Sequence, residues 1–310
     1  MKNTSIFCAL LFLANSSFAQ RMVSITIDDV PNTKLYQQQN FKSILQQKLD
    51  SLRIPVAIFI NEGNLEQTKE SDKNKNLLKS WIAKSNVTVG NHGYAHKNYT
   101  EVGFEAYKQD VIKGEVLTKQ FVKELHKESK YFRFPYNGVG NDSTEQAVAL
   151  TFLAANNYIS TPFTVESEDW LHAILYDDAL AAQDNKRAEW IGNQYVDFTL
   201  RLFSYFDSLS IKLYDRPIKQ IYLCHDNRLN ADYLAKIVDK LKNKEYQFIS
   251  LDEAVSDPVY KSQLYYHGKA GFSWIYRWIP DVVLRKKLMQ SEPANPEIQN
   301  AFEERSKKKN

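Results

Sequence analysis

Short apolar runs alternate along this chain with longer stretches whose apolar positions recur at helical spacing. The runs at residues 23–27, 56–60, 87–89, 131–134, 158–163, 220–224 and 247–250 have the length and β-branched or aromatic content of buried strands. Helical patterns fill the gaps, clearest at 41–52, 76–85, 104–128 and 230–243. Strand–helix alternation predicts an α/β fold, a parallel sheet with helices outside it. About seven strands suit a distorted or incomplete (β/α) barrel. In such a fold chemistry belongs at the C-terminal ends of the strands.

Those ends carry unusual residues. The first run closes on Asp28-Asp29, and His92 and His96 stand four apart just past the third. One carboxylate with two imidazoles is a three-ligand set for a divalent metal that leaves positions open for water and substrate, and the spare carboxylate is then free to act as a base. Arg133, Pro135 and Tyr136 follow the fourth run. Asp169-Trp170 follow the fifth, and His225 ends the sixth after Leu223.

Taken in order, Thr-Ile-Asp-Asp, His-x-x-x-His, Arg-x-Pro-Tyr, Asp-Trp and Leu-x-His resemble the five motifs of the polysaccharide deacetylase family, the NodB-homology or carbohydrate esterase family 4 group. The likeness runs from about Val23 to Ser256 and implies a NodB-like barrel. It implies Asp28 as general base, and Asp29, His92 and His96 as metal ligands. It implies Arg133 as the partner that tunes the base, and the Tyr136 backbone N–H as an oxyanion donor. Asp169 would orient His225, the general acid, while Trp170 and Leu223 would wall the acetyl methyl. The metal implied is Zn²⁺ first, with Co²⁺, Ni²⁺ or Fe²⁺ also suited to two imidazoles and a carboxylate. The substrate implied is an acetylated glycan.

These residue types answer the demands of amide hydrolysis. The carbonyl must be polarised and the water activated, a fixed N–H must receive the oxyanion, and the leaving amine must be protonated. Three departures from the family pattern stand out: Val30 for a Gly, Gly93 for a Ser or Thr, and Glu166 for an Asp. A β-branched Val30 would disfavour a positive φ in the loop beside the metal. None of the three removes a ligand, the base or the acid.

Composition narrows the setting. Residues 1–19 read as a signal peptide: Lys2, an apolar stretch too short for a span of ~20 residues, and Ser17-Phe18-Ala19 before Gln20. That reading predicts an exported chain, periplasmic or extracellular, with no membrane span. Removal of the signal also takes Cys8, so Cys224 has no internal disulfide partner. Cys224 and His225 point to opposite faces of a strand, which excludes a Cys–His nucleophile and leaves Cys224 as a small buried residue. A net charge of +3 gives no footprint for nucleic acid.

The catalytic domain is expected over residues 20–257. A polar, helix-favouring stretch at 171–217 is expected as a peripheral insertion rather than a lid or groove wall. Residues 258–290, rich in Tyr and Trp, are expected to pack most of their rings on the domain. The charged stretch 291–310 reads as a frayed, disordered tail. His126, His172 and His267 are read as solvated or structural. Two other functions fit less of the pattern: a hydrolase of small amides or ureides, and a silent glycan-binding protein on the same scaffold.

Overall fold

The first strand, β1 (Met22–Val30), explains the architecture. Its apolar positions Val23, Ile25 and Ile27 alternate with Ser24, Thr26 and Asp28, and all six are buried. A strand buried on both faces belongs in the middle of a parallel sheet. In this computed structural model, which describes residues 20–309, β1 lies between β2 (Val56–Ile60) and a later strand. The others are β3 (Val87–Asn91), β4 (Ser129–Phe132), β5 (Ile159–Ser160), β6 (Val165–Glu166), β7 (Gln220–His225) and β8 (Gln247–Phe248). The spatial order is 5-4-3-2-1-7-6, every pairing is parallel, and β8 pairs with the first two residues of β1. This is the incomplete parallel barrel expected. The expected signal peptide, residues 1–19, lies outside the described residues.

The barrel is completed by a crossing segment instead of a strand pair. The run at 158–163, expected as one strand, is a strand only at the short β5, and β6 begins beyond it at Val165. Thr161 N–H donates to Phe132 O on one side of the gap (2.7 Å), and Thr164 N–H to Ile221 O on the other (2.9 Å). Pro162 between them has no N–H to give a ladder. The helical pattern at 104–128 likewise divides, into helices Tyr99–Lys113 and Val116–Glu124. A Cβ on Gly114 would lie 2.5 Å from the Gly93 carbonyl carbon, so the break lets two backbones meet.

The stretch 171–217 is not peripheral. It folds as the end of helix Asp169–Ala181 and the 30-residue helix Asn185–Tyr214. Ile191, Tyr195, Phe198, Leu202, Phe206 and Leu209 form a buried stripe at helical spacing. Tyr195 and Tyr222 share a hydroxyl–hydroxyl bond of 2.7 Å that ties the long helix to β7. Its charged residues other than the buried Asp207, read as a polar insertion, are only its outer face.

The tail also departs from expectation. Helix Pro296–Lys309 replaces the disordered segment. Ile298, Ala301 and Phe302 make an apolar stripe among charged neighbours; Ile298 is fully buried and Phe302 meets the Trp170 ring edge-on at 5.6 Å. Gln299 donates to Glu168 (3.3 Å), and Arg305 pairs with Asp178. Rings of 258–290 pack as expected: Trp274, Tyr276 and Trp278 are buried, while Tyr265 is exposed. No helix among the described residues is long and apolar enough to cross a membrane.

Docking of the tail is measurable. Ile298→Ala should cost about 2–4 kcal/mol, the usual loss for a buried aliphatic side chain, read as a lowered urea midpoint. An unchanged midpoint would show that the tail does not pack.

Candidate active site

Side chains two apart on a strand share a face, so Thr26 and Asp28 point the same way from β1. Arg133, just past β4, meets both: one guanidinium N–H₂ donates to Thr26 Oγ1 at 2.7 Å and to Asp28 Oδ1 at 2.8 Å. Arg133 is fully buried, lies 4.2 Å from the centre of the Phe59 ring, and its remaining N–H groups reach the carbonyls of Thr161 (3.5 Å) and Pro162 (3.3 Å). Asp28 Oδ2 faces His92 Nε2 at 3.6 Å.

His92 and His96 follow β3 on a loop held by backbone contacts. Gly93 has φ +77°, and a Cβ there would meet Asp110 Oδ2 at 2.4 Å. This is the physical reason for Gly in place of Ser or Thr. Asp110 accepts from Ala95 N–H (3.0 Å), and its carbonyl accepts from Tyr94 N–H (3.0 Å). His92 Nδ1 lies 2.8 Å from Arg133 O, so that nitrogen carries the proton and Nε2 is left as a lone pair. Burial and the neighbouring His96 push the His92 pKa down to about 3, keeping the ring neutral. Asp29, at φ +62°, sets its Oδ1 3.9 Å from His92 Nε2 and 3.6 Å from His96 Nε2. One ligand atom from each of the three lies within 4.8 Å of the others. A neutral imidazole with its far nitrogen satisfied, a second imidazole and a carboxylate fit a divalent cation. Val30 continues β1 opposite Ile60 and is not among the positive-φ residues, so the strain expected of it does not arise.

Across β1, His225 ends β7 in register with Asp28. The fully buried Asp169 receives His225 N–H (2.8 Å), Asn227 (2.9 Å) and Asn230 (2.6 Å) on one oxygen and His225 Nδ1 (2.7 Å) on the other. Burial alone would raise the Asp169 pKa; the His225 charge and these donors outweigh it and hold the carboxyl low. Burial opposes charging of His225, but Asp169, with Asp29 and Asp28 beyond it, lifts its pKa to about 10.

Asp28, Asp29, His92, His96, Tyr136, Trp170, Leu223 and His225 line one cleft of about 830 Å³. Arg133 and Asp169 lie behind it, touching Asp28 and His225. Tyr136 is the second residue of a 3-10 turn, so no carbonyl of that turn can accept its N–H. Trp170 is 44% exposed at the rim, whereas Leu223 is buried in the wall. Ala173 and Ile174 from helix Asp169–Ala181 add to that wall, the groove-wall role set aside on sequence grounds. His172 is structural: Nδ1 pairs with Glu168 O (2.9 Å) and the ring packs near Tyr195 and Phe198. Cys224 is buried, and burial pushes its thiol pKa well up.

Several supports escaped the sequence reading. Asn61 donates to His92 O (2.6 Å) and Gly93 O (3.1 Å), and Asn64 to Asp29 O (3.0 Å). Loop asparagines carry no periodic signal. Asn227 and Asn230 had one, the N-cap spacing before helix Arg228–Lys242. Asp226, also in the cleft, accepts from Tyr36 and from Asn32 N–H (2.9 Å).

Comparison with known proteins agrees with this geometry. Residues 15–155 match the polysaccharide deacetylase family. That match bears out the resemblance to the polysaccharide deacetylase family over just under half of the chain. A peptidoglycan-N-acetylglucosamine deacetylase from Bacillus cereus is 24% identical over 148 residues, 48% of this chain and 46% of that protein. The chain therefore aligns with less than half of that relative's length. A mutant of a carbohydrate esterase family 4 pseudoenzyme from Bacillus anthracis superposes with a TM-score of 0.50 at 16% identity, over 76% of this chain and 68% of the other. That likeness supports the curled half-barrel and says nothing of activity. The family match ends before Asp169 and His225, whose places rest on the geometry above.

Two measurements follow. His92→Ala should weaken Zn²⁺ binding, followed by calorimetry, by more than the roughly 10–100-fold typical of losing an outer partner of a ligand. Unchanged affinity would mean the ion sits elsewhere. Asp169→Asn should bring the His225 pKa in the metal-free protein well below about 10, since only Asp29 and Asp28 then oppose burial, as read by NMR titration. A His225 that still titrates near 10 would refute the pairing. Because folding raises this pKa, the contribution of His225 to stability is full below pH ~6.5 and is lost as pH rises through about 10.

Proposed function

We propose that this chain is an exported, metal-dependent deacetylase that hydrolyses acetyl groups, chiefly N-acetyl, on a glycan. One observation carries the reading: Asp28 and His225 stand in register on adjacent strands, beside the Asp29–His92–His96 cluster, within one cleft. The family and the name of the Bacillus cereus relative support a glycan substrate, and the signal-like first residues support export. Zn²⁺ suits the donor set best, with Co²⁺, Ni²⁺ and Fe²⁺ as alternatives.

The cation, when bound by Asp29, His92 and His96, would supply Lewis acidity toward the acetyl carbonyl and lower the pKa of nearby water. The protein's own residues do the rest. Asp28, fixed by Arg133, takes the proton of the attacking water. The Tyr136 backbone N–H donates to the carbonyl oxygen as it gains charge; such a donor is typically worth on the order of 10²–10³ in rate. His225, with Nδ1 engaged by Asp169, hands a proton from Nε2 to the leaving amine. Trp170 and Leu223 enclose the methyl group.

The test is acetate release from N-acetylglucosamine oligomers, peptidoglycan and acetylxylan by the Zn²⁺-loaded protein, with and without chelator. Chelator-sensitive release from one of them is expected, and Asp28→Asn should lower it by roughly 10²–10⁴ while the metal stays bound. Release that survives chelation, or full activity in Asp28→Asn, would overturn the mechanism. No release with metal bound would move the weight to a small-amide substrate or a silent glycan-binding protein.

A further inference from the structure

Arg277 is a second fully buried arginine, and among the described residues no carboxylate forms an ion pair with it. It lies 5.5 Å from the centre of the Tyr266 ring and 5.3 Å from those of Phe272 and Trp274. Burial pulls its pKa down to about 10, still well above neutrality. A buried cation without a counter-charge is costly, and here its donors go to backbone carbonyls. One guanidinium nitrogen reaches Ala270 O (2.8 Å), Nε reaches Phe272 O (3.3 Å), and the third reaches Asn137 O (2.9 Å), 140 residues away in the chain.

The Asn137 end of this contact is the informative one. Tyr136 and Asn137 are consecutive non-glycine residues at φ +55°. Side-chain-bearing residues persist in that region only where the surroundings hold them. The C-terminal segment touches this turn at one more point and the chain just after it at another. A Cβ on Gly271 would lie 3.0 Å from Tyr136 O, and Gly268 N–H donates to Gly140 O at 2.9 Å. The turn that carries the Tyr136 N–H is thus held from outside the expected domain boundary at residue 257.

We propose that Arg277 is a positioning residue: it fixes the left-handed Tyr136–Asn137 turn and thereby the direction of the Tyr136 backbone N–H. Segment 265–277 is then part of the catalytic unit rather than an appendage. The catalytic consequence rests on the deacetylase reading; the bracing of the turn does not.

The experiment uses the full mature chain loaded with Zn²⁺ and carrying Arg277→Met, Arg277→Lys or Gly271→Ala. Hydrogen exchange is followed on the peptide covering 134–140, with β1 and β7 as internal references. In Arg277→Met, exchange at 134–140 should quicken at least about tenfold while the references hold, because a methionine can donate to none of the three carbonyls. Acetate release should lose kcat by roughly 10²–10³ with KM within about twofold, the pattern of a contact that matters in the transition state. Arg277→Lys, one flexible ammonium in place of a fork, should recover part of both losses. Gly271→Ala, at an exposed position, should perturb the same peptide and kcat in the same direction, and carries the test if Arg277→Met does not fold. Unaltered exchange at 134–140 in a folded variant overturns the proposal. So does kcat and KM falling together with global loss of structure in both Arg277→Lys and Gly271→Ala. A wild type that releases no acetate defeats the functional reading alone, because the exchange result does not depend on it.

Discussion

A single buried cation organises this barrel. Arg133 sits in the protein interior with no access to water, and a charge so placed must be met on every side. Its partners come from different parts of the fold: Asp28 and Thr26 from β1, the carbonyls of Thr161 and Pro162 from the crossing segment, and the face of Phe59 from β2. Its own carbonyl receives the His92 ring. One residue therefore fixes the carboxylate beside the cleft, selects the tautomer of a candidate ligand and pins the segment that closes the gap between β5 and β6. Breaking a buried pair of this kind by removing one partner typically costs about 3–5 kcal/mol. A fold that carries that liability gains a carboxylate held in one orientation beside the cleft.

The same logic repeats around the cleft. Asp169 is saturated by His225, Asn227 and Asn230, and the His92–His96 loop hangs on Asn61, Gly93 and Asp110. Asp28, His92 and His225 are thus each backed by hydrogen bonds from neighbouring groups. Such backing holds a site to the narrow geometry that chemistry requires.

The strands were legible because their apolar runs are bounded by turn residues. The ten candidate site residues were legible because five short motifs recur in family order, and the structure gathers them at or just past the C-terminal ends of β1, β3, β4 and β7 and in the first turn of helix Asp169–Ala181. What escaped did so for physical reasons. A break at Gly114 depends on the approach of Gly93, two backbones far apart in sequence. The stripe Ile298–Ala301–Phe302 is narrow, and the charges around it give the composition of a disordered tail although they are only its solvent face. The helix Asn185–Tyr214 misled in the same way, its charged outer side masking a continuous apolar one. Asn61 and Asn64 act through single hydrogen bonds to carbonyls, which no spacing rule records.

The electrostatics of the cleft bear on how it would take up a cation. Glu166 and Asp226 both line it, and burial raises their pKa values to about 8 and about 7, with the charges of Asp169 and Asp29 adding respectively to the effect. His225 is lifted to about 10, its burial overcome by the carboxylates around it. Burial, more than charge, thus keeps protons on Glu166 and Asp226, whereas charge keeps one on His225. A field that retains protons also attracts a divalent cation, and the two compete for the same charge. A cation held by Asp29, His92 and His96 would therefore favour proton release, most directly from His225, whose proton the surrounding carboxylates retain. The His225 proton and the Asp29–His92–His96 cluster both answer to the carboxylates gathered near the ends of β1 and β7.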